Sequence, residues 1–184
     1  MIKTLQISEK EAWDLAFNAL VNNNTSEDNA KEVADALISA EFDGQAGHGL
    51  SRIPSYVEQL TAGKVKGAEA PSIMSSKGSV IRIDAKNGFA YPAISLALKE
   101  ITTTCKNFGI AAASITRSHH FGQAGRHVEI LANNGLIGLM FGNTPKAIPP
   151  WGGTKALFGT NPIAFSTPRE DEAPLVIDMS LSKV

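Results

Sequence analysis

The chain holds one cysteine, four histidines and a formal net charge of only −1, and each scarcity removes a class of protein. With Cys105 alone no internal disulfide can form, and the residue reads as a small packed side chain. The 17 Lys and Arg residues are scattered rather than massed, so nothing tracks a phosphate backbone and nucleic acid is not an expected partner. No window approaches the roughly 20 apolar residues that cross a bilayer. Polar and charged residues follow Met1 where a leader would carry a basic segment and an apolar run. A membrane is therefore not expected as a partner, and a cytoplasmic location is. The glycine-rich stretches match neither G-x-G-x-x-G nor the P-loop spacing, so a Rossmann cofactor turn is not indicated. A serine hydrolase built on Ser118 or Ser51 lacks the G-x-S-x-G elbow. No His-x₃-His pair, Cys pair or carboxylate cluster accompanies the histidines, and no metal site is expected.

What is present is a soluble globular composition, 43% hydrophobic and 19% charged, enough for a sizeable core. Ser8 and Glu11 form a capping-box pattern ahead of a stripe of Trp13, Leu15, Ala16, Ala19 and Leu20. Ser26 caps a second helix from Glu27 to about Phe42, and a third is predicted from about Leu50 to Ala62. Near Pro71 the character changes. Ser79 to Ile83 alternates as a strand, Tyr91 to Phe108 is helical, and Ile110 to Ile115 reads as a buried strand. A helix from about Gly125 to Asn133 and a strand from Leu136 to Phe141 follow. Pro174 to Met179 reads as another buried strand, close enough to Val184 that the fold is expected to continue beyond the residues given. The layout is α/β (α+β), a helical part over 1–70 and a mixed part over 71–184, with a boundary near 63 to 78.

Three segments could carry chemistry. In the first, glycines flank His48 and Arg52 lies four residues on, sharing its face if a helix begins at Gly49 or Leu50. Tyr56 continues that face. An imidazole beside a guanidinium suits a carboxylate substrate, the Arg clamping it while the His moves a proton. The same residues could equally be a solvated surface loop. The second is Ser118-His119-His120-Phe121-Gly122-Gln123-Ala124-Gly125, where a strand empties into a Gly-rich turn before a helix. His120 there could be a general acid or base, a cofactor contact, or a packed histidine satisfied by a carbonyl. His119 is expected to point elsewhere. The third runs from Pro149 to Pro162, with Trp151 able to stack on a flat ring and Thr160 and Asn161 offering donors. It is a cofactor loop or an ordinary long surface loop.

Together these segments resemble the malate/L-lactate dehydrogenase family, which is distinct from the Rossmann dehydrogenases. The matching residues include Asp43-Gly44, His48 to Tyr56, Ser118 to Gly125, Gly142 to Pro145, Pro150 to Gly153, Gly159 to Phe165 and Val176 to Ser180. The resemblance implies a helical domain beside a cofactor domain built on a largely antiparallel sheet. It implies a homodimer and hydride transfer between NAD or NADP and a small 2-hydroxy or 2-oxo acid, or a cyclic 2-imino acid. The chain then looks like the N-terminal half of the family fold, and a split or inactive remnant is the alternative. By the same resemblance His48 and His120 are the catalytic histidines, and which of them moves the proton stays open. Arg52, Tyr56 and Thr160 fall on substrate-contact positions. His120, Phe121, Gly122, Gln123, Ala124, Thr144, Asp178, Met179 and Ser180 fall on cofactor-contact positions. One departure stands out: many members carry Ser before the first histidine, and this chain has Gly47. Glycine cannot orient or polarise an imidazole, so either a relay to His48 comes from elsewhere or His48 is only an electrostatic contact.

Overall fold

Ser8 opens α1 (Glu9–Val21) by the reciprocal capping that its spacing with Glu11 predicts. These are features of a computed structural model that describes residues 6–180. Ala12, Ala16 and Leu20, four residues apart, form the buried stripe of α1. Leu15, expected in that stripe, is exposed, one step off the period. Ser26 caps α2 (Glu27–Phe42), which buries Val33, Ala34 and Leu37. The third helix begins later than the sequence predicts. Residues Ala46–His48 and Leu50–Arg52 are two 3₁₀ turns, and α3 (Ile53–Thr61) starts with Pro54 in its first turn.

Two strands, β1 (Ser72–Lys77) and β2 (Val80–Asp84), run antiparallel, and α4 (Ala90–Phe108) returns the chain to β3 (Ala112–Thr116), parallel to β2. Ile81 and Ile83 of β2 are fully buried against Ala93 and Ala97 of α4. The sequence places a buried strand at Ile110 to Ile115. Instead β3 is an edge, with Ala113 and Ile115 packed inward, alternate residues exposed and Ile110 outside it. Serine-rich β1 carries a register shift between Ile73 and Ser75, and it has no apolar alternation for a sequence reading to find.

The chain divides into two compact units, Met1–Gly122 and Gln123–Val184. Helices give way to strands between Thr61 and Ser72, yet the first sheet stays with the helices because α4 packs on α2 as well as on β2 and β3.

In the second unit α5 (Ala124–Asn133) covers one face of an antiparallel sheet, β4 (Gly138–Phe141), β5 (Ile163–Thr167) and β6 (Leu175–Met179), in that order. Gly138 is required there, since a Cβ would press on Val128 and Leu131. Beneath α5, Ser166 donates to the Val128 carbonyl. The other face presents two apolar rows, Leu139–Phe165–Ile177 and Phe141–Ile163–Met179. Phe141 is 70% exposed and Leu139 60%. The expected buried strand at Pro174 to Met179 is thus β6, an edge strand whose Leu175, Ile177 and Met179 stay exposed on that open face.

Candidate active site

In the first unit, His120 is the hub. Its Nδ1 lies 2.7 Å from the Tyr56 hydroxyl, and its ring stacks on that of His48 at 5.4 Å with a 9° interplanar angle. Tyr56 is buried on α3, tilted against Phe89, and its hydroxyl also meets that of Tyr91 at 2.9 Å. Burial first, and then the positive charge of Arg52 and His48, pushes the His120 pKa down to about 4. Burial pushes that of Tyr56 up to about 12, so it stays a phenol. At neutral pH, therefore, a neutral imidazole stands beside a neutral phenol.

The segment carrying His48 and Arg52 is held from behind and from within. The Glu41 carboxylate of α2 accepts the Leu50 N–H at 2.7 Å. It also fills the space beside Gly49, so that a Cβ there would make the Glu41 side chain shift. Ser51 Oγ donates to the Ala46 carbonyl and Arg52 Nε to the Gly47 carbonyl, both at 2.5 Å. Arg52 is not on a shared α-helical face with His48, as a helix from Leu50 would have it; consecutive 3₁₀ turns bring the two together. Its terminal guanidinium nitrogens make no hydrogen bond among the described residues. His119 turns to the Lys64 backbone, and burial lowers its pKa.

The second unit gathers the other predicted positions. The Gly125 N–H, in the first turn of α5, donates to Asp178 Oδ2 at 2.6 Å. Thr144 Oγ1 meets Thr160 Oγ1 at 3.2 Å and accepts from the Asn161 N–H, while the Thr144 N–H donates to Asn161 Oδ1. Ser180 Oγ donates to the Thr160 carbonyl at 3.3 Å. Thr144, Thr160 and Ser180 thus form one cluster, with Gly159 fitted so closely to Thr144 that a Cβ there would lie 2.4 Å from its carbonyl. Gln123 precedes α5 without capping it through its side chain. Threonine and serine hydroxyls beside a carboxylate suit a ligand bearing hydroxyl groups, such as a ribose. Met179 lies on the open sheet face, and Trp151 is fully exposed.

Sequence reasoning missed Tyr91, read only as the start of a helix, and Glu41. Tyr91 reaches the site through a hydroxyl contact 35 residues away from its partner, which no local periodicity reports. Among the described residues no three His, Cys, Asp or Glu side chains gather as a metal site would need, and no helix is long and apolar enough to cross a membrane.

Known proteins carry the same arrangement of sequence and fold. The family profile described as malate/L-lactate dehydrogenase matches residues 7–184. A (2R)-3-sulfolactate dehydrogenase (NADP(+)) of Chromohalobacter salexigens is 49% identical over 178 residues, 97% of this chain and 53% of that protein. The crystal structure of the Δ1-piperideine-2-carboxylate reductase from Pseudomonas syringae pv. tomato, 36% identical, superposes with a TM-score of 0.92 over 98% of this chain and 55% of that one. Malate dehydrogenase from Entamoeba histolytica, 26% identical, gives the same TM-score over 98% and 50%. The shared fold is that of a set of dehydrogenases and reductases acting on small acids. The chain belongs to the malate/L-lactate dehydrogenase family. It spans about half the length of the curated relatives it matches.

Proposed function

We propose that this chain supplies the acid–base and substrate-anchoring part of an NAD(P)-dependent oxidoreductase. The reaction moves hydride between the nicotinamide and C2 of a small 2-hydroxy or 2-oxo acid, or of a cyclic 2-imino acid. The observation that carries this reading is His120, half-buried and neutral, hydrogen-bonded to Tyr56, with Arg52 and His48 beside it. Sulfolactate is the favoured substrate and NADP the favoured cofactor, supported by the 49% identity to a relative of that name. A cytoplasmic homodimer, with a division at residue 70/71 between helical and cofactor domains, completes the reading.

A bound NAD(P) would supply or accept the hydride. Arg52 pairs its terminal nitrogens with the substrate carboxylate while its Nε keeps the Gly47 carbonyl, so the clamp arrives already oriented. His120 enters oxidation as a neutral base and takes the proton of the 2-hydroxyl on Nε2, since Nδ1 is engaged by Tyr56. In reduction the imidazolium returns that proton to the developing alkoxide. The bound carboxylate offsets the charge of Arg52, which raises the His120 pKa from its low resting value toward the working range. His48 stacks on the His120 ring and so stands beside the proton-moving group. His120, Phe121 and Gly122 in the first unit, and Gln123, Ala124, Thr144, Asp178, Met179 and Ser180 in the second, are each proposed as cofactor contacts.

The test is direct. Purified protein is mixed with NADPH or NADH and sulfopyruvate, oxaloacetate, pyruvate or Δ1-piperideine-2-carboxylate, and the loss of reduced-cofactor absorbance is followed. Turnover fastest with sulfopyruvate and NADPH is expected. No turnover and no cofactor binding with any pair, when the family's remaining half is supplied as a second polypeptide, sinks the reading.

A further inference from the structure

The chain has only two tyrosines, and both end at the same point. Tyr56 and Tyr91 are 3% and 2% exposed, and their hydroxyls meet at 2.9 Å, with Tyr56 reaching on to His120 Nδ1 at 2.7 Å. The turn that carries His120 closes onto the same ring. Gly122 has φ +68°, and a Cβ there would stand 2.6 Å from the Tyr91 hydroxyl oxygen. Tyr91 therefore shapes both the partner of His120 and the backbone two residues after it.

We propose that Tyr91 is a positioning residue that acts through the Tyr56 hydroxyl to fix which ring nitrogen of His120 carries the proton. This rests on the reading of His120 as the proton-moving group. A phenol has one hydrogen, and the Tyr56 hydroxyl lies between two partners, so it can donate to only one. When Tyr56 donates to Tyr91, it must accept from His120, whose Nδ1 then carries the proton and whose Nε2 is left bare as a base. When Tyr56 donates to His120, Nε2 holds the proton and that base is lost. The direction of one hydroxyl–hydroxyl bond is thus tied to the tautomer of an imidazole that is neutral at rest. Acting as a base on a 2-hydroxyl needs the first arrangement, and the Tyr91 oxygen is the acceptor that holds it. Without that oxygen the Tyr56 proton turns to Nδ1 and the tautomer reverses.

The experiment reads the tautomer without needing turnover. In ¹⁵N-histidine-labelled protein at neutral pH, His120 is expected to show a protonated Nδ1 and a bare Nε2, and Y91F is expected to reverse the pair. Alongside, Y91F should lower kcat for oxidation of the 2-hydroxy acid by about tenfold, less than the roughly 10²–10⁴-fold of losing an acid–base group outright, with KM for that acid within about twofold. A merely structural role would leave the ¹⁵N pattern alone. If Y91F does not fold, growth on 3-fluorotyrosine labels these two residues only, and H120N should then move both ¹⁹F resonances. Unchanged His120 ¹⁵N shifts in Y91F, a wild-type Nε2–H form, or a Tyr91 ¹⁹F resonance indifferent to H120N would each overturn the proposal. Tautomer reversal in a protein that turns over no acid counts for the Tyr91 link and against the oxidoreductase reading.

Discussion

In the first unit, His120 is ringed by Tyr56, His48 and Arg52 on elements whose apolar faces are already covered. In the second, Thr144, Thr160 and Asp178 hang from a sheet that has a helix on one face and bare Leu139, Phe141 and Ile177 on the other. The contrast is one of solvent. Burial in the first unit makes each polar contact expensive to lose and shifts the acidity of the groups it holds. In the second unit the Asp178 carboxylate is exposed and the Thr144 and Thr160 hydroxyls are half-buried, open to exchange with a ligand. A proton mover is best placed in the first setting, and a dissociable cofactor in the second.

The largest effect that tests this contrast is kinetic. H120A should lower kcat by roughly 10²–10⁴-fold, and H48A by less. The reverse order in steady-state kinetics would transfer the proton to His48. Next comes stability against acid. The folded His120 pKa of about 4 lies below the ordinary value of 6.5, so between those values the unfolded chain binds the extra proton and stability falls as pH falls. The loss amounts to about 3 kcal/mol by pH 4. Urea midpoints measured from pH 7 to pH 4 should show this limb in the wild type and a flatter one in H120N. R52A should raise KM for the acid about 10–100-fold, the usual worth of a charge-assisted contact, with kcat less affected; an unchanged KM removes the clamp.

Smaller effects belong to the second unit. D178A leaves the Gly125 N–H without its carboxylate and should cost about 1–2 kcal/mol in chemical denaturation. F141K, on the open face, should change stability by less than about 0.5 kcal/mol while lowering dye binding by exposed apolar surface.

Much of this was legible along the chain. Ser8 with Glu11, and Ser26, announced helices because capping is a local hydrogen-bond pattern. His48, Arg52, Tyr56 and His120 were chosen as candidates, and the fold brings all four together. What was illegible depends on contacts remote in sequence. Between the two 3₁₀ turns, at 46–48 and 50–52, Glu41 reaches across from α2 to the Leu50 N–H. Strand β1 is polar because it is an edge, so periodicity could not find it. Tyr91 carries no motif; only the meeting of α3 with the start of α4 gives its hydroxyl a meaning.

Gly47 sits one residue before His48, where the family resemblance leads one to expect serine. Unlike Gly49, which lies against the Glu41 side chain, it faces open space: a Cβ would meet nothing within 4 Å, and its φ is not positive. The fold therefore places no demand on this position. A hydroxyl can be gained or lost beside the imidazole without moving the backbone. The surroundings of His48 can thus change by single substitutions such as G47S while the architecture stays fixed.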